Sequence, residues 1–363
     1  MSSRPVLFLR ADASRQMGSG HVMRCLALAE AAQVAGMAVH WLCRRLPGHL
    51  INELQARGQS VHVLDWPGAD ESWQVADREA DALASGAAMA ALMPVGSTDQ
   101  QHWVLVDHYQ LDAVWHRRVA RPDLLVAVLD DLADRPLDCA LLIDQNSLET
   151  RHDRYRALTP PGCVHLLGSR YSLLRADIRA AAARRASTRP TSTLVFLGGA
   201  DTGRLTEVVL DRLEALADSP LAPPPLHVLC GAMNPHWRAL QSRCDSTGHE
   251  FSLAQRDMSD LLASARVAVV ACGMFAVELQ ALEVPSLLLP LSDIQAAVAG
   301  DFAHRGRAVV LPTEALSRPM AFESAWRRAY ALPHAVSGRG FLALDGAQRV
   351  ITQLLEMSWR KPH

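Results

Sequence analysis

Short apolar runs alternate with longer helical patterns along most of this chain. In the first half Val6–Leu9, Ala38–Cys43, Ser60–Leu64, His102–Asp107, Leu125–Asp130 and Leu141–Asp144 read as strands, the first and the last three as buried ones. Between them, Val22–Ala35 has helical periodicity and stops at Gly36; His49–Arg57, Asp70–Met93 and a stretch near Ala113–Ala120 are also helical. The second half repeats the scheme, with strands at Thr193–Leu197, His227–Cys230, Val267–Ala271, Ser286–Leu289 and Ala308–Leu311 and a helix over Arg204–Ala217. Alternation of this kind predicts an α/β protein, with parallel sheets covered by helices on both faces. Residues 176–192 interrupt it. They are small and basic, lack a core-forming pattern and end near a proline, so they are predicted to be a linker. The expected domains are therefore 1–175 and 193–341. A terminal stretch, 342–363, has helical periodicity at Leu344, Ala347, Ile351, Leu354 and Leu355, so one face of it should be buried.

In a parallel sheet ligands gather at the carboxyl ends of the strands. Here those ends are polar. Val104–Asp107 runs into His108 and Tyr109, Leu129 into Asp130 and Asp131, and Leu141–Asp144 into Gln145 and Asn146. One aspartate there would be an ordinary loop or helix cap; the set predicts a polar cleft. The first strand enters Arg10-Ala-Asp-Ala-Ser-Arg-Gln-Met-Gly-Ser-Gly-His-Val-Met-Arg-Cys25, a glycine-bearing loop opening into a helix. Gly18 and Gly20 allow tight turns and leave room for a ligand. The amides of such a loop and helix start suit an anion or a sugar. His21 stands where the helix begins, and a neutral imidazole can accept a proton.

Composition narrows the field. At 363 residues the chain is long enough for two cores, and 49% of it is hydrophobic against 20% charged. The net charge of −2 comes without a basic, aromatic-interleaved block, so no nucleic-acid partner is expected. No apolar run reaches the roughly 20 residues of a membrane span, and the amino terminus does not read as a signal peptide. The seven scattered cysteines include no Cys-x-x-Cys pair and suggest a reduced, cytoplasmic setting. The fifteen histidines show no His-Glu-x-x-His spacing, so no structural metal is expected.

The segment Arg10-x-Asp12-x-Ser14 followed by Gly18-Ser-Gly-His-Val-Met-Arg-Cys-Leu-Ala-Leu-Ala29 resembles the start of the PseG family. These are UDP-2,4-diacetamido-2,4,6-trideoxy-β-L-altropyranose hydrolases of pseudaminic acid biosynthesis, similar to MurG-type glycosyltransferases. Val106-Asp-His-Tyr109, Asp130–Arg135, Asp144–Asn146 and Tyr171–Arg175 resemble family segments in the same order, and Phe196–Asp201 resembles the first turn of its nucleotide domain. The resemblance implies a GT-B architecture, two Rossmann-like domains facing a cleft. The activity it implies is metal- and cofactor-free hydrolysis of a UDP-sugar at C1 with inversion. His21 would be the general base on water, with Tyr109 and Asp12 holding the sugar or the imidazole. Arg10, Gly18, Ser19, Gly20, Arg24, Gly198, Gly199, Gly273, Met274, Phe275, Glu278 and Gln295 would line the substrate. Glu278 would take the ribose hydroxyls, and amides around Gly273–Phe275 the departing pyrophosphate. A monomer is expected.

The second half departs from that family where phosphates should sit. Met274 and Phe275 stand where small hydroxyl residues are common, and Ile294 replaces an asparagine. The alternatives are a GT-B glycosyltransferase that uses a sugar hydroxyl as acceptor, and a non-catalytic nucleotide-sugar binder. The intact His21 loop argues against the last, and the lack of a basic, amphipathic docking stretch argues against an enzyme of lipid acceptors.

Overall fold

A computed structural model describes residues 5–66, 75–93, 101–146, 153–184, 190–201, 203–231, 233–254, 258–333 and 342–358; the side chains of Val75, Ala76 and Ile294 fall outside that description. The chain divides into two compact units, Met1–Arg175 with Asp345–His363, and Ala176–Leu344.

The first unit runs β1 (Val6–Ala11), α1 (Gly20–Val34), β2 (Ala38–Arg44), α2 (Ile51–Ala56), β3 (Ser60–Leu64), α3 (Val75–Leu92), β4 (His102–Asp107), α4 (Ala113–Val119), β5 (Leu124–Leu129), β6 (Leu141–Asp144) and β7 (Val164–Leu167). Its seven strands are all parallel, in the order β3-β2-β1-β4-β5-β6-β7. Every residue of β1 is buried. Leu7 and Leu9 face one core, with α1, while Val6 and Phe8 face the other, with α3 and α4. That is the period of two of a strand covered on both sides, and it explains why β1 reads as a continuous apolar run.

The second unit opens with α5 (Ala176–Arg184) and continues β8 (Ser192–Phe196), α6 (Leu205–Glu214), β9 (Leu226–Cys230), α7 (Trp237–Thr247), β10 (Glu250–Leu253), α8 (Ser259–Ser264), β11 (Ala265–Ala271), α9 (Met274–Ala281), β12 (Ser286–Leu289), α10 (Asp293–His304), β13 (Ala308–Val310) and α11 (Pro319–Tyr330). Six parallel strands lie in the order β10-β9-β8-β11-β12-β13. The last helix, α12 (Gly346–Ser358), belongs to the first unit and packs on α1. It buries Ala347, Val350, Ile351 and Leu354, where Val, Ile and Leu each contribute about 1.5–3 kcal/mol on leaving water. Trp103 of β4 donates its indole N–H to Ser358 Oγ at 2.8 Å. Gly346 is required at the helix start, because a Cβ there would lie 2.3 Å from the Ser172 carbonyl.

Three expectations change. The predicted linker 176–192 is helical over α5, which buries Ile178 and Ala181 and packs on α8 and α9; residues 185–189 lie outside the described set. Ile178 and Ala181 hold it to the unit, while Ala176, Ala180 and Ala183 face solvent. The edge strands β7 and β10 are additional, since their residues are mostly only partly buried and carry no long apolar run.

Candidate functional site

The candidate site of the first unit sits at the carboxyl ends of β1, β4, β5 and β6. After β1 the chain makes a tight loop: the Ser14 hydroxyl accepts from the amides of Gln16 and Met17, and the Gly18 amide returns to the Ser14 carbonyl at 2.8 Å. Gly18 has φ +75°, which favours glycine. Ser19 is the N-cap of α1 but makes no side-chain cap, so the first-turn amides near Gly20 are not taken by it. Gly18, Ser19 and Gly20 are all partly exposed.

His21, Arg24 and Cys25 share one face of α1 through their three- and four-residue spacing. Because β4 lies beside β1, that face meets Asp107 at the end of β4. His21 Nδ1 lies 2.5 Å from Asp107 Oδ1. Arg24 grips the same carboxylate with two N–H groups, each at 2.6 Å, and reaches Asp131 Oδ2 with a third at 2.9 Å. The Tyr109 hydroxyl donates to Asp131 Oδ1 at 2.8 Å, and its ring stands edge-on to the His21 imidazole at 4.6 Å. Tyr109, Asp131, Arg24, Asp107 and His21 thus form one connected ring of contacts.

Burial alone would raise the Asp107 carboxyl, but Arg24 and His21 beside it hold it well below the usual carboxylate range. An ionised Asp107 accepts a hydrogen bond from Nδ1–H and orients the imidazole with Nε2 on the opposite side, where no hydrogen-bond partner occurs among the described residues. Burial and the neighbouring Asp131 keep the Tyr109 phenol protonated far into base, so it acts as a donor. His21 is 6% exposed, a ring held in place at the edge of solvent.

The wall beyond is a second set of ion pairs. Asp130 meets Arg135 at 2.8 Å, and Asp144 meets Arg154. The Tyr155 hydroxyl donates to Asp130 at 3.0 Å. Burial, only partly offset by Arg154, lifts the Asp144 carboxyl to about 6. The Asn146 amide donates to Asp131 at 3.2 Å and remains partly exposed.

Three expected site residues have other work. Arg10 is fully buried, bound to Asp81 of α3 and, at 2.8 Å, to Asp12, and has no surface from which to touch a substrate. Asp12 is equally buried; it accepts the Arg44 amide at 2.7 Å and faces His108, not His21. Arg24, 4% exposed, spends its guanidinium on Asp107 and Asp131 and acts as a positioning residue. The carboxylate against His21 is Asp107, read from sequence only as one polar strand end. The spacing of His21 and Arg24 on one helix face was the available signal that an acid must meet them.

In the second unit, Gly198 has φ +103° and Gly199 packs against Gly231, where a Cβ would lie 2.2 Å from the Gly199 carbonyl. The helix that follows is already capped: Asp201 accepts the amides of Leu205 at 2.8 Å and Thr206 at 3.1 Å. A phosphate could not use those amides without displacing a carboxylate. The start of α9 differs. Gly273 is an extended N-cap without a side-chain cap, and Gly273, Met274 and Phe275 are partly exposed. The Phe275 ring packs on Phe196 at 4.4 Å. Glu278, one turn on from Met274, is 5% exposed. Gln295 does not stand free as a substrate ligand. Its side-chain Oε1 accepts the Leu291 backbone N–H at 2.9 Å, while its backbone N–H donates to Oγ of Ser292, the N-cap of α10, at 3.3 Å. The Ile294 side chain lies outside the described residues.

No family model matches the chain, and no curated protein matches it in sequence. Solved structures do. MurG of Acinetobacter baumannii superposes with a TM-score of 0.61 at 17% identity, covering 98% of this chain and 100% of that one. The spinosyn rhamnosyltransferase SpnG, in complex with spinosyn aglycone, gives 0.56 at 16% identity over 96% of both chains. SsfS6, a glycosyltransferase of Streptomyces sp. SF2575, gives 0.55 at 13% identity over 97% and 100%. The fold is GT-B. At such identities the likeness establishes the GT-B fold and no residue role. No helix among the described residues is long and apolar enough to cross a membrane.

Proposed function

We propose that this GT-B protein cleaves a nucleotide-sugar at the anomeric carbon with inversion, using His21 as general base on an oxygen nucleophile. The observation that carries the reading is the His21–Asp107–Arg24 arrangement. A base needs a fixed imidazole with one nitrogen available and a buried anion to balance the imidazolium formed in the transition state. Asp107, held ionised by Arg24, supplies that anion. His21 Nε2 takes the proton as the oxygen attacks C1 from the face opposite the nucleotide. The C1–O bond breaks, and the nucleoside diphosphate leaves with the bonding pair. The amides at the start of α9 bind the charge that develops on its phosphates, and Glu278 accepts from the ribose hydroxyls.

The nucleophile is water and the substrate a UDP-linked 2,4-diacetamido-2,4,6-trideoxy sugar, on the strength of the PseG resemblance of Arg10–Ala29 and the strand-end segments. A second reading has a specific support: SpnG and SsfS6, which share the fold, are named as sugar transferases. In that case a hydroxyl acceptor takes the place of water and the same base serves.

Incubation with UDP-2,4-diacetamido-2,4,6-trideoxy-β-L-altrose without an acceptor, followed by proton NMR, tests this. Release of UDP with an inverted free sugar supports the hydrolase. No release despite UDP binding favours the transferase or another sugar. Neither release nor binding would sink the nucleotide-sugar reading.

A further inference from the structure

Two thiols of the first unit stand in contact at the end of the sheet opposite the candidate site. Cys139 lies two residues before β6 and Cys163 one residue before β7. The two stretches run side by side. The Val164 N–H donates to the Ala140 carbonyl at 2.9 Å, and β6 and β7 continue from there as parallel neighbours with Leu141 opposite Val164. Both side chains enter the core that also holds Leu142 and Tyr155. Their sulfurs are 3.6 Å apart. Among the described residues no other two thiols meet; the Cys25 thiol, for instance, goes to Asp107.

That separation is van der Waals contact, and bonding at about 2.05 Å needs an approach of roughly 1.5 Å. Adjacent strands are spaced by about 4.8 Å, inside the range of roughly 4.4–6.8 Å between Cα atoms that a disulfide spans. The backbones therefore already stand at bridging distance. The two sulfurs are not equivalent. Cys139 is buried, while Cys163 is partly exposed, alone among the seven cysteines. The S–H that Cys139 donates holds the Cys163 thiol below its ordinary value, against the opposing effect of burial, and the same contact raises Cys139. A solvent-reaching sulfur that forms thiolate readily, with a second thiol directly behind it, is the arrangement in which oxidation of the first is resolved by the second.

We propose that Cys139 and Cys163 are a site of reversible oxidation by hydroperoxides, closing an intramolecular disulfide that staples the edge strand β7 to β6. The Cys163 thiolate attacks one oxygen of the peroxide and the O–O bond breaks. The other oxygen departs with the bonding pair and takes up the proton that Cys163 lost, giving water or an alcohol. Cys163 is thereby oxidised to a sulfenic acid. The Cys139 sulfur then attacks the Cys163 sulfur. The S–S bond forms, the S–O bond breaks, and the Cys139 proton leaves with the hydroxide as water. A dithiol reductant returns both thiols. The step is independent of the reaction at His21. Its effect falls on β7, a four-residue strand with a neighbour on one side only.

Treatment of the reduced full-length chain with hydrogen peroxide, followed by alkylation and peptide mapping without reductant, tests this. The expected result is a cross-link between the peptides of Cys139 and Cys163, lighter by two hydrogens, with two of the seven thiols lost to titration and both restored by dithiothreitol. Oxidation should raise the melting temperature by about 4–12 °C, because the closed loop restrains the unfolded chain. In Cys139→Ser the reaction should stop at a Cys163 sulfenic acid that dimedone traps. In Cys163→Ser the Cys139 thiol should survive. A cross-link that joins other cysteines, or two chains, overturns the proposal. So does a wild type that keeps all seven thiols at peroxide levels that oxidise free cysteine, or one in which Cys163 runs on to a sulfinic acid without a disulfide. The cross-link is read on the wild type, so the test stands even should a serine variant fail to fold.

Discussion

At the carboxyl ends of the first sheet, β4, β5 and β6 each deliver a buried aspartate into contact with an arginine: Asp107 and Asp131 with Arg24, Asp130 with Arg135, and Asp144 with Arg154. At the corresponding ends of the second sheet, β8 runs into Gly198, β11 into Cys272 and Gly273, and β12 into Pro290. The acid in the first of those turns, Asp201, caps its own helix. One unit therefore offers fixed side-chain charge around an imidazole, and the other offers backbone amides beside apolar rings. Moving a proton needs a group whose position and charge are set in advance. Binding a phosphate needs only N–H groups and a helix dipole, and these tolerate Met274 and Phe275 as neighbours.

The contrast is broken most severely at His21. In His21→Ala, turnover should fall by about 10²–10⁴-fold while UDP affinity, measured calorimetrically, stays nearly unchanged. Turnover within a few fold of wild type would remove the base assignment. Next in size is Asp107→Asn, which keeps the shape but leaves Arg24 short of its main partner. Breaking such a buried pair costs about 3–5 kcal/mol, read from urea unfolding. It also has a pH signature. The Asp107 carboxyl is depressed in the folded state, so its contribution is present above its ordinary value near 3.9 and lost as pH falls toward its lower folded value. The wild type should lose stability steeply below about pH 4, and the variant much less. Parallel curves would refute the coupling.

Smaller effects sharpen the second half. Glu278→Gln should raise KM for the nucleotide-sugar by about tenfold to a hundredfold with little change in kcat, the size of one hydrogen bond to a charged group. A change confined to kcat would place Glu278 elsewhere in the reaction. The smallest is Phe275→Ala, which should cost about 0.5–1.5 kcal/mol of stability through its pairing with Phe196 and leave UDP binding by the α9 amides intact. Loss of UDP binding there would mean that the ring, and not only the backbone, shapes the phosphate site.

The alternation of apolar runs and helical periods was enough to determine the α/β class, most strand positions and the acids at their ends, because burial on both faces of a parallel strand is written locally as a run of apolar residues. Ser60–Leu64, His102–Asp107 and Leu141–Asp144 were legible to the residue. The edge strands β7 and β10 were not, although the edge strand β3 was: β3 has five residues and alternates polar and apolar over residues 60–63, whereas β7 and β10 are four residues each and scarcely buried. Partners were beyond local reading altogether. Asp107 meets His21 across 86 positions because the sheet places β4 beside β1, an order that succession along the chain does not contain. The same logic turned Arg10 inward, toward Asp81 on a helix whose packing only the folded sheet defines, and paired Asp12 with Arg10. Periodicity records which side chains leave water; strand order and register decide which of them meet.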